Sequence, residues 1–197
     1  LYTENLDSKA RKSAQTVMFD SLVALVKMVS PVLSFTAEEM WAAMPAIARD
    51  ADSVHLSSWY VENPEFINAE LDSKWDKIIK LRKEVNKVLE KARQGENRII
   101  GNSLDAEVSL FIGNDEYKSL LADKELLEMI FIISKLNIVE TKDDSFTESE
   151  ELKDISIKVA HATGEKCERC WKYSEELGTH EEHSTICPRC TGVLVNN

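Results

Sequence analysis

Two Cys-x2-Cys pairs, Cys167/Cys170 and Cys187/Cys190, stand 16 residues apart near the end of this 197-residue chain, and no other feature constrains its folding as tightly. Two such knuckles can close four thiolates around one tetrahedral ion. Soft thiolates select zinc or an iron–sulfur cluster, and the turn-like run Gly164-Glu-Lys-Cys favours zinc over a cluster-binding run. Four protein ligands leave no open coordination position, so one zinc ion is expected to hold structure and not to activate water. The competing reading, two disulfides, needs an oxidising compartment, and no signal-peptide pattern opens the chain. His180 and His183 lie between the pairs. They could replace a cysteine but, with the shell already complete, read as loop residues. His161 and His55 have no evident partner.

The rest of the chain reads as α+β, mainly α. Its length exceeds a typical single domain, and 43% hydrophobic with 30% charged residues is the balance of a soluble globular protein. From Lys9 to Val29, apolar residues recur at three- and four-residue steps, the period of an amphipathic helix that Pro31 ends. Thr36 with Glu39 fits a capping box, which predicts a short helix from Ala37 to Met44; residues 46–66 look irregular. A long basic helix spans about 71–93, with Leu71, Trp75, Ile78, Leu81, Val85, Val88, Leu89 and Ala92 on one side and Gly95 as the stop.

These helices are expected to form one bundle over residues 1–100. After Gly101 the period shortens toward two, with a strand at 106–112, helical signals between 115 and 134, and further strands at 137–140 and 155–159. This predicts a small α+β junction domain over 101–160, with a mobile acidic loop at 141–151, and a zinc-binding tail over 161–197. The longest apolar runs are too short to span a bilayer, so a cytoplasmic setting with no membrane partner is expected. The chain opens at Leu1 and enters a helical pattern almost at once, which reads as a piece of something longer.

A net charge of -11 argues against indiscriminate nucleic-acid binding, which is driven by Lys and Arg displacing counterions. The charge is uneven, however. Residues 73–101 hold nine Lys or Arg against four acids, and residues 140–154 hold seven acids against two lysines. On the long helix Lys77, Lys80, Lys83, Lys87 and Lys91 share one stripe that could follow a phosphate backbone; the alternative is a solvated helix face laced with Asp76, Glu84 and Glu90. Beside the cysteines stand Lys166, Arg169, Trp171, Lys172 and Arg189. Cations around an aromatic face suit single-stranded RNA; the alternative, which the residues alone favour, is that Trp171 packs over the knuckle. No phosphate-binding loop, nucleophile elbow, zincin pair or dinucleotide fingerprint occurs, so the chain reads as a binding module.

The run Val159-Ala-His-Ala-Thr-Gly-Glu-Lys-Cys-Glu-Arg-Cys-Trp-Lys-Tyr, closed by Ile186-Cys-Pro-Arg-Cys, resembles the C-terminal end of bacterial isoleucyl-tRNA synthetases. Ala14-Gln-Thr-Val, Ser30-Pro-Val-Leu-Ser-Phe-Thr-Ala-Glu-Glu-Met-Trp, Ser53-Val-His-Leu and Arg82-Lys-Glu-Val-Asn-Lys-Val-Leu-Glu agree in order. The resemblance implies an anticodon-binding helical bundle, a junction and a zinc tail that hold the anticodon region of isoleucine tRNA. Arg169 and Trp171 would approach the anticodon, with Lys166, Lys172, Arg189, Lys80, Lys83 and Lys87 as further contacts. The upstream catalytic domain of the parent ligase, with its HIGH and KMSKS signatures, would use ATP; neither signature is here, nor is an editing domain, so no ATP is expected to bind these residues and no catalytic residue is assigned. Two rivals remain at this point. One is a zinc-stabilised protein adaptor, which accounts for the acidity. The other is the tail of a formamidopyrimidine-type DNA glycosylase, which shares a four-cysteine finger but asks for a basic balance that this chain lacks, so DNA is not an expected partner.

Overall fold

A computed structural model describes residues 1–96 and 98–195. Their contacts divide into two compact units, residues 1–67 and 68–195.

The first unit is built on α1 (Lys9–Val29) and α2 (Ser34–Ala43). The Ser8 hydroxyl caps α1 by accepting from the Arg11 amide at 3.2 Å, satisfying one of the free donors at a helix start. The capping box expected at Thr36 does not form. Helix α2 starts three residues earlier, behind Leu33 and with no side-chain cap, because the turn after Val29 already delivers a helical geometry: the Leu33 amide reaches back to the Val29 carbonyl and the Ser34 hydroxyl to the Ser30 carbonyl. Trp41 is fully buried with Val26, Ala37, Met44 and Val54, and its indole N–H finds the Ala51 carbonyl at 3.0 Å, as a buried indole requires. Residues 46–66 form short 3-10 turns joined by irregular chain. Glu38 pins them by accepting from the Ser53 hydroxyl and the Val54 amide.

The second unit opens with α3 (Ala69–Arg93), capped by the Asn68 side chain on the Leu71 amide at 2.9 Å. Glu70 and Asp72 in its first turn and Lys91 and Arg93 in its last match the helix dipole. Gly95, at φ +85°, turns the chain away. A four-stranded sheet follows in the order β2-β1-β4-β3, from β1 (Ala106–Ile112), β2 (Lys135–Val139), β3 (Thr147–Glu148) and β4 (Ile155–His161). Strand β1 runs parallel to β2 and antiparallel to β4, and β3 is antiparallel to β4. Between β1 and β2 the chain makes α4 (Asp115–Lys118), a 3-10 turn and α5 (Lys124–Phe131).

One core joins helix to sheet. Ile78, Leu81, Val85, Leu89 and Ala92 of α3 pack with Val108, Leu110, Leu136, Ile155 and Ile157 of the strands and Leu127 and Phe131 of α5. The long helix thus shares its buried face with the sheet and falls in the same contact unit, residues 68–195. Periodicity identified which face of α3 is buried, not what covers it.

The acidic stretch 141–151 is not a free loop. It carries β3, and its last residues are fastened to α3 around Glu84. This carboxylate is only 2% exposed; it accepts from the Ser149 hydroxyl at 2.5 Å and the Glu150 and Glu151 amides at 2.8 and 3.3 Å. On the other side the Ser149 amide donates to the Ile155 carbonyl. Glu84 therefore belongs to the packed interior, not to a solvated face.

Candidate metal centre and nucleic-acid interface

The first knuckle is the turn of a small hairpin between β5 (Glu165–Lys166) and β6 (Tyr173–Ser174). Gly164 leads in at φ +88°, where a Cβ would lie 2.3 Å from the Ser174 carbonyl oxygen, so no larger residue fits. The second knuckle is the start of α6 (Pro188–Val195): Cys187 precedes it and Cys190 lies in its first turn. Pro188 suits the first helical position, whose amide has no intrahelical partner. The Glu168 amide donates to the Thr185 carbonyl at 3.2 Å and the Cys187 amide to the Cys167 sulfur at 3.3 Å, tying the knuckles together.

The four cysteine sulfurs lie within 4.8 Å of one another, and Cys170 and Cys187 are 3.7 Å apart. A tetrahedron with zinc–sulfur bonds of 2.3 Å has edges of about 3.8 Å, so these residues fit one structural zinc ion. None of the four is disulfide-bonded, and their gathering into one cluster counts against the two-disulfide alternative. Burial opposes ionisation of Cys167, but the amides of Cys170, Cys187 and Arg169 outweigh it and bring its thiol down to about 6. Burial dominates at Cys170 and Cys190 and raises both. A bound cation would replace those protons and stabilise the thiolates. Among the described residues the surrounding core holds Ile186 and partly buried Leu177 besides the cysteines, too little apolar material to fold without a metal.

His180 and His183 stay outside this cluster and stack on each other, ring centres 5.5 Å apart. The other two histidines have partners that the sequence did not reveal. His161 meets Tyr173 edge to face at 5.0 Å and shares a hydrogen bond with the Ala162 carbonyl, and His55 does the same with the Ser34 carbonyl.

Trp171 follows the first knuckle directly. Its amide donates to the Cys167 carbonyl at 2.9 Å, and its backbone sits at φ +65°, a region uncommon for any residue but glycine. The side chain is 60% exposed, so the indole stands largely in solvent instead of being consumed by packing over the knuckle. Trp171 thus combines a backbone conformation unfavourable for a bulky residue with a side chain that faces water. Around it, Lys166 lies 3.9 Å from Asp105 and Lys172 lies 3.8 Å from Glu128. The Arg169 side chain hydrogen-bonds the Cys190 sulfur and favours its thiolate, so its guanidinium also serves the metal cluster. Arg189 is exposed on α6.

The lysine stripe of α3 is met by carboxylates of the same unit. Lys77 pairs with Glu116 at 3.3 Å, Lys83 with Glu151 at 3.1 Å, and Lys91 with Glu150 at 3.7 Å. Lys87 contacts Glu84 at 2.7 Å, Glu151 at 3.0 Å and Glu150 at 3.4 Å. Lys80 is exposed and has no ion pair among the described residues. Sequence reasoning missed Glu84 and Ser149 as the anchors of this arrangement. The available signal was that Glu84 immediately precedes Val85 on the edge of the apolar face.

Comparison with known proteins bears on both ends of the chain. Residues 164–191 match the zinc finger found in FPG and IleRS. Isoleucine–tRNA ligases from Desulforamulus reducens, Kosmotoga olearia and Thermotoga petrophila are 42%, 41% and 42% identical over 98% of this chain, which covers 21%, 20% and 20% of their lengths. The chain thus spans about a fifth of the relatives it matches. Residues 1–110, more than half of the chain, match the anticodon-binding domain of tRNA ligase. With that span accounted for, the chain belongs to the anticodon-binding domain family of tRNA ligases.

Proposed function

We propose that this chain grips the anticodon region of isoleucine tRNA as part of an isoleucine–tRNA ligase. The observation that carries the reading is Trp171, an exposed indole on strained backbone beside a metal knuckle. Unstacked anticodon bases lie on such aromatic planes while neighbouring cations meet the phosphates. In this role the zinc ion fixes the knuckle backbone, and Cys167, Cys170, Cys187 and Cys190 hold it. Trp171 offers the stacking face. Lys166, Lys172, Arg169 and Arg189 supply charge around it, and Lys80, Lys83 and Lys87 lie on the helix that would follow the backbone.

The chemistry belongs to an upstream catalytic domain, which joins isoleucine to its tRNA with ATP in the cytoplasm; this chain contributes capture. No helix among the described residues is long and apolar enough to cross a membrane. The finger type is shared with FPG proteins, but the match of residues 1–110 to an anticodon-binding domain favours tRNA over damaged DNA as the partner. The test is a titration of the zinc-loaded chain and its Trp171→Ala variant with isoleucine tRNA and a noncognate tRNA. Cognate binding that weakens on removal of the indole is the expected result. A chain that ignores isoleucine tRNA at moderate salt is a protein adaptor instead.

A further inference from the structure

The segment from Thr147 to Leu152 lies along the lysine stripe of α3, and its parts differ in how firmly they are held. Its backbone is locked: β3 pairs with β4, the Ser149 hydroxyl and the amides of Glu150 and Glu151 bind the buried Glu84 carboxylate, and the Leu152 amide donates to Ser149 Oγ at 2.9 Å. The Glu150 and Glu151 carboxylates are not buried; they are 65% and 51% exposed where they meet Lys83, Lys87 and Lys91. Lys83 and Lys91 are themselves mostly open to solvent. Two anionic groups thus sit on three cations at 3.0 to 3.7 Å; the pairs with Lys83 and Lys91 are solvent-exposed and contribute little to stability, while Lys87 also holds Glu84.

We propose that Glu150 and Glu151 hold, within the chain itself, the seats of RNA phosphates on α3, so that RNA reaches this surface only by exchanging phosphate for carboxylate. The proposal rests on the reading of RNA as the partner. The exchange needs no unfolding, because the anchor is Glu84 and the strap backbone, neither of which the phosphates touch. It also gives the acidity of the chain a role. A polyanion that offers phosphates to the stripe alone gains little by displacing carboxylates already there. One that is also held by the zinc module brings the phosphates in at high local concentration. The strap thereby suppresses binding of RNA that lacks the second contact.

The experiment compares the full zinc-loaded chain with its Glu150→Gln/Glu151→Gln variant, which keeps side-chain size and leaves Glu84 in place. Isoleucine tRNA, a noncognate tRNA and a single-stranded homopolymeric RNA are titrated across a range of salt. A Glu62→Gln/Glu65→Gln variant, made at exposed positions of the first unit, carries the same change in net charge. The strap variant is expected to bind all three RNAs more tightly at low salt, by on the order of threefold per freed contact, and to steepen the dependence of log K on log salt by about one to two. Adding Lys83→Gln and Lys91→Gln, which leave the Glu84–Lys87 pair in place, should remove most of that gain. The proposal is overturned by unchanged affinity and slope, or by an equal gain in the charge-matched variant. If the parent chain binds isoleucine tRNA while the strap variant gains nothing, only this proposal fails. If no protein in the set binds any RNA, both it and the RNA reading fail.

Discussion

Replacing Glu84 with Gln tests whether the helix–strap junction is an organised interior or a chance of surface charge. Burial of Glu84 opposes its ionisation, but the Lys87 ammonium, the Ser149 hydroxyl and the amides of Glu151 and Glu150 outweigh that cost and lower its carboxyl from the ordinary 4.5 to about 2. At about 1.4 kcal/mol for each pH unit, that gap corresponds to about 3 kcal/mol favouring the folded state. The sign follows from a folded value below the unfolded one: the contribution is fully present above pH 4.5 and is lost as the pH falls toward about 2. Glu84→Gln should therefore cost about 3 kcal/mol at pH 7, since a neutral amide leaves Lys87 without its buried partner. The assay is urea unfolding, followed by circular dichroism, of parent and variant from pH 7 down to pH 2.5. Loss of zinc on acidification is common to both proteins, so their difference isolates Glu84; it should stay level to pH 4.5 and then shrink. A difference below about 1 kcal/mol at pH 7, or one that ignores pH, would refute the reasoning.

Three further outcomes are expected. Removing zinc with a chelator should strip amide-exchange protection from residues 164–195 while β1, β2 and β4 keep theirs, because the sheet has its own core and the finger does not; uniform loss of protection would contradict this. Trp171→Ala and Trp171→Gly should each weaken tRNA binding by about 5- to 150-fold, the equivalent of the 1–3 kcal/mol of one base stack. Of the two, only the glycine variant relieves the φ of +65°, so its thermal stability should exceed that of the alanine variant. Gly164→Ala should lower zinc affinity, read by competition with a chromogenic chelator, because its Cβ would lie 2.3 Å from the Ser174 carbonyl oxygen; unchanged affinity would show that the hairpin yields freely.

What the sequence made legible was local. The span Lys9–Val29 and the strand 106–112 were readable because each repeats one period over its whole length, and both appear with those bounds. The four thiols were readable because metal ligands recur at short fixed spacing. Long-range pairing was not legible. Glu150 and Glu151 read as part of a mobile loop because their counter-charges lie far away in the chain; Lys83 and Glu151 are 68 positions apart. The start of α2 was misplaced for a related reason: Thr36 and Glu39 make a correct capping box on paper, but the turn at Val29–Leu33 had already begun the helix. The same holds for α3, whose apolar stripe was visible while its partner, the sheet, was not. The left-handed backbone at Trp171 had no signal of its own, since no glycine marks it.

One hydroxyl aligns the metal finger with the sheet. Ser134, just ahead of β2, donates to the Leu104 carbonyl and accepts from the Tyr173 amide at 2.7 Å, two residues beyond Trp171. Metal loading and aim are therefore separable faults: the thiols gather the ion, while this oxygen, together with the Lys166–Asp105 and Lys172–Glu128 pairs, sets the angle at which the finger leaves the scaffold. A Ser134→Ala protein should take up zinc normally yet discriminate cognate from noncognate tRNA less sharply, like a sight knocked out of true on a sound barrel.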